Sequence, residues 1–246
     1  MTDNTFLPIL KIQASEIPER ILVVGDPNRV DIVAQSLTDV EALAHNREYR
    51  TIRGKFDGEM IGVVSHGVGS AGAGACFTEL CMAGASRIIR AGSAGGMRPN
   101  VNAGDVVIAR AAVREDGLSP KLVPEAYPAV ATPDIVIAMR RAAKDLGVDY
   151  HEGILLTSDL FYPGDVLGSD LPFWQNAGLV AVEMECATLF VVCGLRDVET
   201  GAVVAIDGNP LAQDAGSMDT YDPHQTKVAD AVKQSLGIAL RALISS

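Results

Sequence analysis

Charged side chains set inside apolar runs are the first sign of chemistry in this chain. In VAVEMECATLFVV, Glu183 and Glu185 interrupt an otherwise apolar stretch. A carboxylate there must find donors, whether sugar hydroxyls, an arginine or a metal. One of the pair can instead cap the helix that follows, because a helix N-terminus favours negative charge; capping accounts for both less easily. In RIIRAGSAGG, Arg90 ends a buried run and Ser93 follows among small residues. That arginine needs an anion, either a ligand or a structural carboxylate. In ILVVGDPNRV, Gly25 follows a buried run and Arg29 opens a helix. Backbone N–H groups and a guanidinium can converge on an anion in such a place, with an ordinary strand-to-helix turn as the alternative. In VVAIDGNP, Asp207 ends another apolar run before a glycine, either at the carboxyl edge where open α/β sheets bind ligands or simply as a turn former.

The segment Gly67 to Gly72, GVGSAG, matches GxGxxG between a strand and a helix. As a dinucleotide site it requires an acid at the end of the next strand, and the chain offers Arg90 there instead. The glycines are better read as backbone room beside a ligand. The four histidines, His45, His66, His151 and His224, lack paired metal-ligand spacing, so no metal is expected, and His66 at a strand end is expected to be a hydrogen-bonded structural residue. No GxSxG nucleophile elbow is present.

These residues need strand ends to hold them. Short Val- and Ile-rich runs predict strands at Ile21–Val24, Met60–Ser65, Arg87–Ala91, Asp105–Ala112, Gly153–Leu156, Leu179–Glu183 and Ala202–Ile206, apolar enough to be buried on both faces. Helices are predicted at Arg29–Ser36, Ala71–Ala83 and Asp134–Leu146, the last two stopped by Gly84 and Gly147, and at Cys186–Leu195. A final helix is expected to start with Asp222 as N-cap and Pro223 in its first turn, and to bury Val228, Val232, Leu236, Leu240 and Leu243. Three long loops remain, Asp116–Pro133, Pro163–Pro172 and Gly208–Pro223. The alternation of strand and helix predicts a single α/β domain over residues 1–246.

Composition agrees. With 246 residues, 48% hydrophobic and 21% charged, the chain can bury a large core and is not disordered. Its net charge of −11 repels a phosphate backbone and argues against nucleic acid as a partner. The four cysteines, Cys76, Cys81, Cys186 and Cys193, form no CxxC pair and read as reduced core thiols. The start of the chain lacks a signal-peptide pattern and no apolar run is long enough to span a bilayer, so a cytoplasmic protein with no membrane partner is expected.

With GDPNR, HNREY, SHGVGSAG, IIRAGS, VEMECAT and IDG in this order, the sequence resembles the purine nucleoside phosphorylase and uridine phosphorylase family over nearly its whole length, and most nearly the hexameric purine enzymes of the protozoan-parasite type. The resemblance implies an α/β sandwich around a mixed, partly barrel-like central sheet. It also implies a homo-oligomer, a hexamer built as a trimer of dimers. It places inorganic phosphate on Gly25, Arg29, Arg90 and Ser93, with Arg47 of HNREY reaching a neighbouring subunit's phosphate site. Ribose falls to Glu185, Met184 and the adjacent Glu183, and the base to Val68, Phe161 and Val182. Asp207 matches the general acid at purine N7. The implied reaction is reversible phosphorolysis of purine nucleosides with phosphate as co-substrate and no metal or organic cofactor.

The resemblance has departures. Ile9 stands where many hexameric members carry a histidine near the ribose 5′ hydroxyl, which implies tolerance of 5′-modified nucleosides. GNPLAQDAGSMD lacks the arginine that assists the acid in bacterial members, which points to inosine and guanosine. TSDLFYPGD lacks the Gln and Arg pair of uridine phosphorylases, while Arg29 is the arginine that the hydrolytic methylthioadenosine nucleosidases lack. A non-catalytic nucleoside-binding protein is the alternative from another class, and it has no use for an acid at the position of Asp207.

Overall fold

The computed structural model describes residues 5–162, 164–211 and 225–245. In chain order the elements are β1 (Phe6–Leu7), β2 (Ile12–Gln13), β3 (Arg20–Val24), α1 (Pro27–Ala34), β4 (Thr38–Asn46), β5 (Tyr49–Phe56), β6 (Glu59–Ser65), α2 (Ser70–Met82), β7 (Arg87–Gly96) and β8 (Val106–Glu115). They continue with α3 (Ser119–Leu122), β9 (Ala129–Val130), α4 (Pro133–Asp145), β10 (His151–Ser158), α5 (Leu171–Asn176), β11 (Ala181–Glu183), α6 (Cys186–Gly194), β12 (Glu199–Gly208) and α7 (Thr226–Ile244). Every strand and helix expected from the apolar runs is present, with ends shifted by a few residues. The exception is the start of the last helix: its described part begins at Thr226, and Asp222, Pro223 and His224 lie outside the described residues.

The main sheet runs β11-β10-β8-β12-β7-β3-β6-β5-β4. Its centre is parallel: β3 pairs in parallel with β6 and β7, and β7 with β12. β8 lies antiparallel to β12, and β10 and β11 continue parallel to β8. β11 then pairs antiparallel with the far end of β7, so β7, β12, β8, β10 and β11 close into a ring. A mixed, partly barrel-like sheet in one α/β domain is the result. Its central strands are buried on both faces, with Ile21, Leu22, Val23 and Val24 of β3 and Ala202 to Ile206 of β12 inaccessible to solvent, which explains their unbroken apolar runs.

Helices cover this sheet. α4 and α7 pack on each other and against β12, and α6 packs on α2 and against β8 and β12. α7 buries Val228, Val232, Leu236, Leu240 and Leu243 as its periodicity predicts. Gly84 and Gly147 end α2 and α4 at φ 97° and 66°. In each case the glycine N–H and the next N–H bond back to the closing turn, Gly84 to Cys81 and Ala85 to Leu80, Gly147 to Lys144 and Val148 to Ala143. This is the left-handed stop that a Cβ disfavours. All four cysteines are free thiols, and among the described residues no helix is long and apolar enough to cross a membrane.

Two features of β7 matter for the site. The sequence predicts a strand ending at Ala91, yet β7 runs on through GSAGG to Gly96 because a partner strand pairs with it on at least one edge beyond Ala91. On one edge β12 follows it along its length. On the other, β3 pairs with Arg87–Ala91 and β11 with Gly95–Gly96, and the sheet splits between them.

Candidate active site

A cavity of about 620 Å³ opens at this split. Strand ends supply its walls: Gly25 follows β3, Val68 follows β6, Phe161 lies beyond β10, Val182 and Glu183 end β11, and Asp207 lies near the end of β12. Arg29 from α1, Arg90 and Ser93 from β7, and Met184 and Glu185 before α6 complete the set. All of these line the one cavity. Of the residues to which the resemblance gives a substrate contact, Arg47 alone stands apart. Asn46 pairs with Tyr49, so Arg47 and Glu48 form the tight turn between β4 and β5. Glu48 lines the cavity and the exposed Arg47 does not.

Arg90 is the centre of the charge arrangement. Its side chain is 3% exposed and folds along its strand over Gly92, two residues on and therefore on the same face. A Cβ at Gly92 would lie 1.7 Å from Arg90 Nη1. Nη2 donates to Glu185 Oε2 and lies 3.5 Å from Glu183 Oε2. Nε and Nη1 have no hydrogen-bond partner among the described residues. A buried guanidinium with unused donors is costly in a folded chain, and this one has two, in a cavity that Arg29 also lines.

The two glutamates divide the alternatives that the sequence left open. Glu183 is the helix cap: its oxygens accept the backbone N–H groups of Glu185 at 2.8 Å and of Cys186 at 2.9 and 3.0 Å, and the Thr157 hydroxyl at 2.5 Å. Burial and the neighbouring Glu185 push its carboxyl upward against the pull of Arg90. Glu185 faces the cavity and accepts from the Gly69 N–H at 2.6 Å and from Arg90. Burial opposes its charge, but Arg90, His66 and the Gly69 amide outweigh burial and hold its carboxyl below the usual range. Gly69, at φ 92°, is thus spent on a carboxylate inside the protein. At the flanking GVGSAG glycines the room is taken by the protein's own side chains: a Cβ at Gly67 would lie 2.6 Å from Glu48 Cγ, and one at Gly72 3.3 Å from Tyr49 Oη.

Asp207 owes its aim to an irregularity. Along β12 and β7, Ile206 faces Ala94 and Gly208 faces Gly95, so Asp207 is one residue too many for the ladder. Such a bulge re-aims a side chain, here into the cavity mouth. One wall of the cavity is apolar and open: Val68 is 79% exposed and Phe161 about half exposed, with Leu160, Leu171 and Val182 beside them.

His66 corrects an expectation. It is fully buried, but neither ring nitrogen has a hydrogen-bond partner among the described residues. Instead its ring packs edge-on against Phe77, with centroids 5.2 Å apart. Burial pushes its pKa down to about 4, Arg90 and Arg29 adding to the effect while Glu185 opposes it, so the ring is neutral at pH 7. Sequence reading also missed Glu48, Gly92, Ser158 and Asn209. Ser158 ends a buried strand as Gly25 does and was findable; the others lack a local signal.

Comparison with known proteins gives a consistent result. Residues 19–245 match the phosphorylase superfamily profile. The chain is 42% identical to the purine nucleoside phosphorylase of Plasmodium falciparum over 239 residues, 95% of this chain and 96% of that one. It is 32% identical to the guanosine phosphorylase of Halorubrum lacusprofundi over 96% of this chain and 97% of the other. The crystal structure of the Toxoplasma gondii purine nucleoside phosphorylase in complex with immucillin-H superposes with a TM-score of 0.93 at 35% identity, covering 99% of this chain and 97% of that one. With its closed ring of five strands, its split β7 and this family-wide match, the chain belongs to the phosphorylase superfamily.

Proposed function

We propose that this chain is a purine nucleoside phosphorylase that takes inosine and guanosine, with their deoxy forms, to free base and (deoxy)ribose 1-phosphate. The observation that carries the reading is Arg90, buried and paired on one edge with Glu185 while Nε and Nη1 remain unpartnered. These nitrogens, with Arg29, Ser93 and the Gly25 backbone, suit a phosphate dianion, which charge-assisted forks bind strongly. Glu185, held charged, accepts the ribose hydroxyls, and Met184 packs on the sugar. Glu183 supports this from behind by capping α6. Val68, Phe161 and Val182 enclose the base.

In the reaction a phosphate oxygen attacks C1′ as the glycosidic bond breaks and its electron pair passes to the purine. Asp207 gives a proton to purine N7, so the base leaves neutral. Positive charge builds on the sugar and is met by the phosphate below it. The two ends of one charge separation are therefore stabilised from opposite sides of the cavity. No metal or organic cofactor enters this scheme. The preference for 6-oxopurines is supported by the absence of arginine from residues 208–219. Asn209, the next polar group after Asp207, is engaged elsewhere: its Nδ2 donates to the Arg98 and Val101 carbonyls.

The working unit in this reading is a cytoplasmic homo-oligomer, a hexamer arranged as a trimer of dimers, with Arg47 completing the phosphate site of an adjacent copy. The exposure of Arg47 on a tight turn, outside its own cavity, supports that role. Inosine incubated with the enzyme should release hypoxanthine only when phosphate is present. Release without phosphate means a hydrolase, and no release with any purine nucleoside refutes the proposal.

A further inference from the structure

Asp159 touches no group assigned to substrate above, yet it ties two walls of the site together. It follows Ser158 at the end of β10 and precedes Leu160 and Phe161, and these three neighbours line the cavity. Its Oδ1 accepts the Ser70 hydroxyl at 2.6 Å and its Oδ2 accepts the Gly117 N–H at 2.7 Å. Ser70 is 2% exposed and is the first residue of α2. The preceding N-cap residue is Gly69, which has no side chain with which to cap the helix. Asp159 thus brings a carboxylate to the start of α2 from 89 residues away, where negative charge is favoured. The N–H of that same Gly69 donates to Glu185 Oε1. The Gly117 anchor is itself braced: neighbouring Asp116 accepts the Leu118 and Ser119 N–H groups, the Ser119 hydroxyl and the Thr188 hydroxyl of α6.

We infer that Asp159 is a positioning residue for the nucleoside: through Ser70 it fixes the turn whose Gly69 amide orients Glu185, and through the backbone it fixes the start of the base wall. The inference rests on the phosphorolysis reading for its kinetic consequences, but the strut itself is a property of the unliganded chain.

The test compares Asp159→Ala, Asp159→Asn, Ser70→Ala and the Asp159→Ala/Ser70→Ala double variant on inosine and 2′-deoxyinosine. Misplacing Glu185 removes more from the substrate that carries both sugar hydroxyls. Asp159→Ala should therefore lower kcat/KM for inosine by roughly 10- to 100-fold, the scale of an ångström-sized misplacement, and for 2′-deoxyinosine by several-fold less. KM for phosphate should change less than kcat/KM for inosine, since Glu185 touches Arg90 only at Nη2 and leaves Nε and Nη1 open. Asp159→Asn, whose Oδ1 still accepts from Ser70 while its Nδ2 cannot accept from the Gly117 N–H, should recover part of the loss, and the double variant should be no worse than Asp159→Ala because the two residues act as one unit. Independently of activity, Asp159→Ala should speed amide hydrogen exchange at Gly69 by roughly tenfold, as expected when a local anchor is lost. An unchanged preference between the two nucleosides, or unchanged exchange at Gly69, overturns the inference. A wild-type chain that releases base from neither nucleoside refutes the phosphorolysis reading instead, and the exchange measurement then decides the strut alone.

Discussion

Replacing Gly92 with alanine should disable the anion site while leaving the fold standing. The new Cβ would sit 1.7 Å from Arg90 Nη1, 2.4 Å from its Cζ and 2.7 Å from Nη2. An ordinary carbon contact is about 3.5–4 Å, so the guanidinium must retreat by roughly 2 Å. All three atoms nearest the new Cβ belong to the far end of this flexible side chain, so the guanidinium, not the backbone, gives way. What it cannot keep is its geometry. A displacement of that size breaks a charge-assisted hydrogen bond worth about 1.5–3 kcal/mol, and losing one or two such bonds to phosphate lowers kcat/KM for phosphate by roughly 10- to 10⁴-fold. Stability should fall by roughly 1–3 kcal/mol as the pairing with Glu185 loosens, less than the loss from deleting one member of a buried pair. Steady-state rates at varied phosphate with inosine saturating, alongside urea unfolding, measure both quantities. Wild-type phosphate dependence in Gly92→Ala would refute the reasoning, because Arg90 could then move 2 Å without consequence to the anion it is said to hold.

Other perturbations separate the remaining groups. Asp207→Ala should reduce turnover more than it weakens phosphate binding, and Arg90→Ala should do the reverse; equal losses of both kinds in both variants contradict the assignment. His66, with its pKa pushed down to about 4 by burial, stays neutral in the folded chain while the unfolded chain takes up a proton below about pH 6.5. Its contribution to stability is therefore intact above that pH and is lost as pH falls toward 4, by roughly 2 kcal/mol at pH 5. Urea unfolding of His66→Phe at pH 7 and pH 5 should show a smaller drop than wild type by about that amount, and an identical drop removes His66 as the cause.

Much of the site was legible because its charges are anomalies. Arg90, Glu183 and Glu185 sit in runs that otherwise code for core, and a charge in the core requires a partner. The sequence could not divide the labour between the glutamates, since which one caps α6 depends on where that helix starts. Gly92 carried no signal: glycine is needed there only because Arg90 folds back over it. The bulge that aims Asp207 depends on the register of β7, which lies far away in the chain. The hairpin β4–β5 escaped notice because β4 is an exposed edge strand without the apolar run that marks the centre, and with it went Glu48. The short helix α3 falls within the stretch 116–133 that reads as a Pro-containing loop, and α5 starts at the end of the loop 163–172 and runs past it. Asp159 carries no signal of its own in the sequence, and its meaning comes from Ser70 and Gly117, both distant along the chain.

The split along β7 has a consequence for how such a protein can change. Where β3 leaves and β11 arrives, the floor carrying Arg90 and Ser93 is woven into the most deeply held part of the sheet. The apolar wall of Leu160, Phe161 and Leu171 belongs instead to the connection that follows β10 and to the first residue of α5. On the phosphorolysis reading, new tastes for aglycones can therefore be acquired by rewriting that wall, while the floor proposed to capture the oxyanion passes through such rewriting untouched.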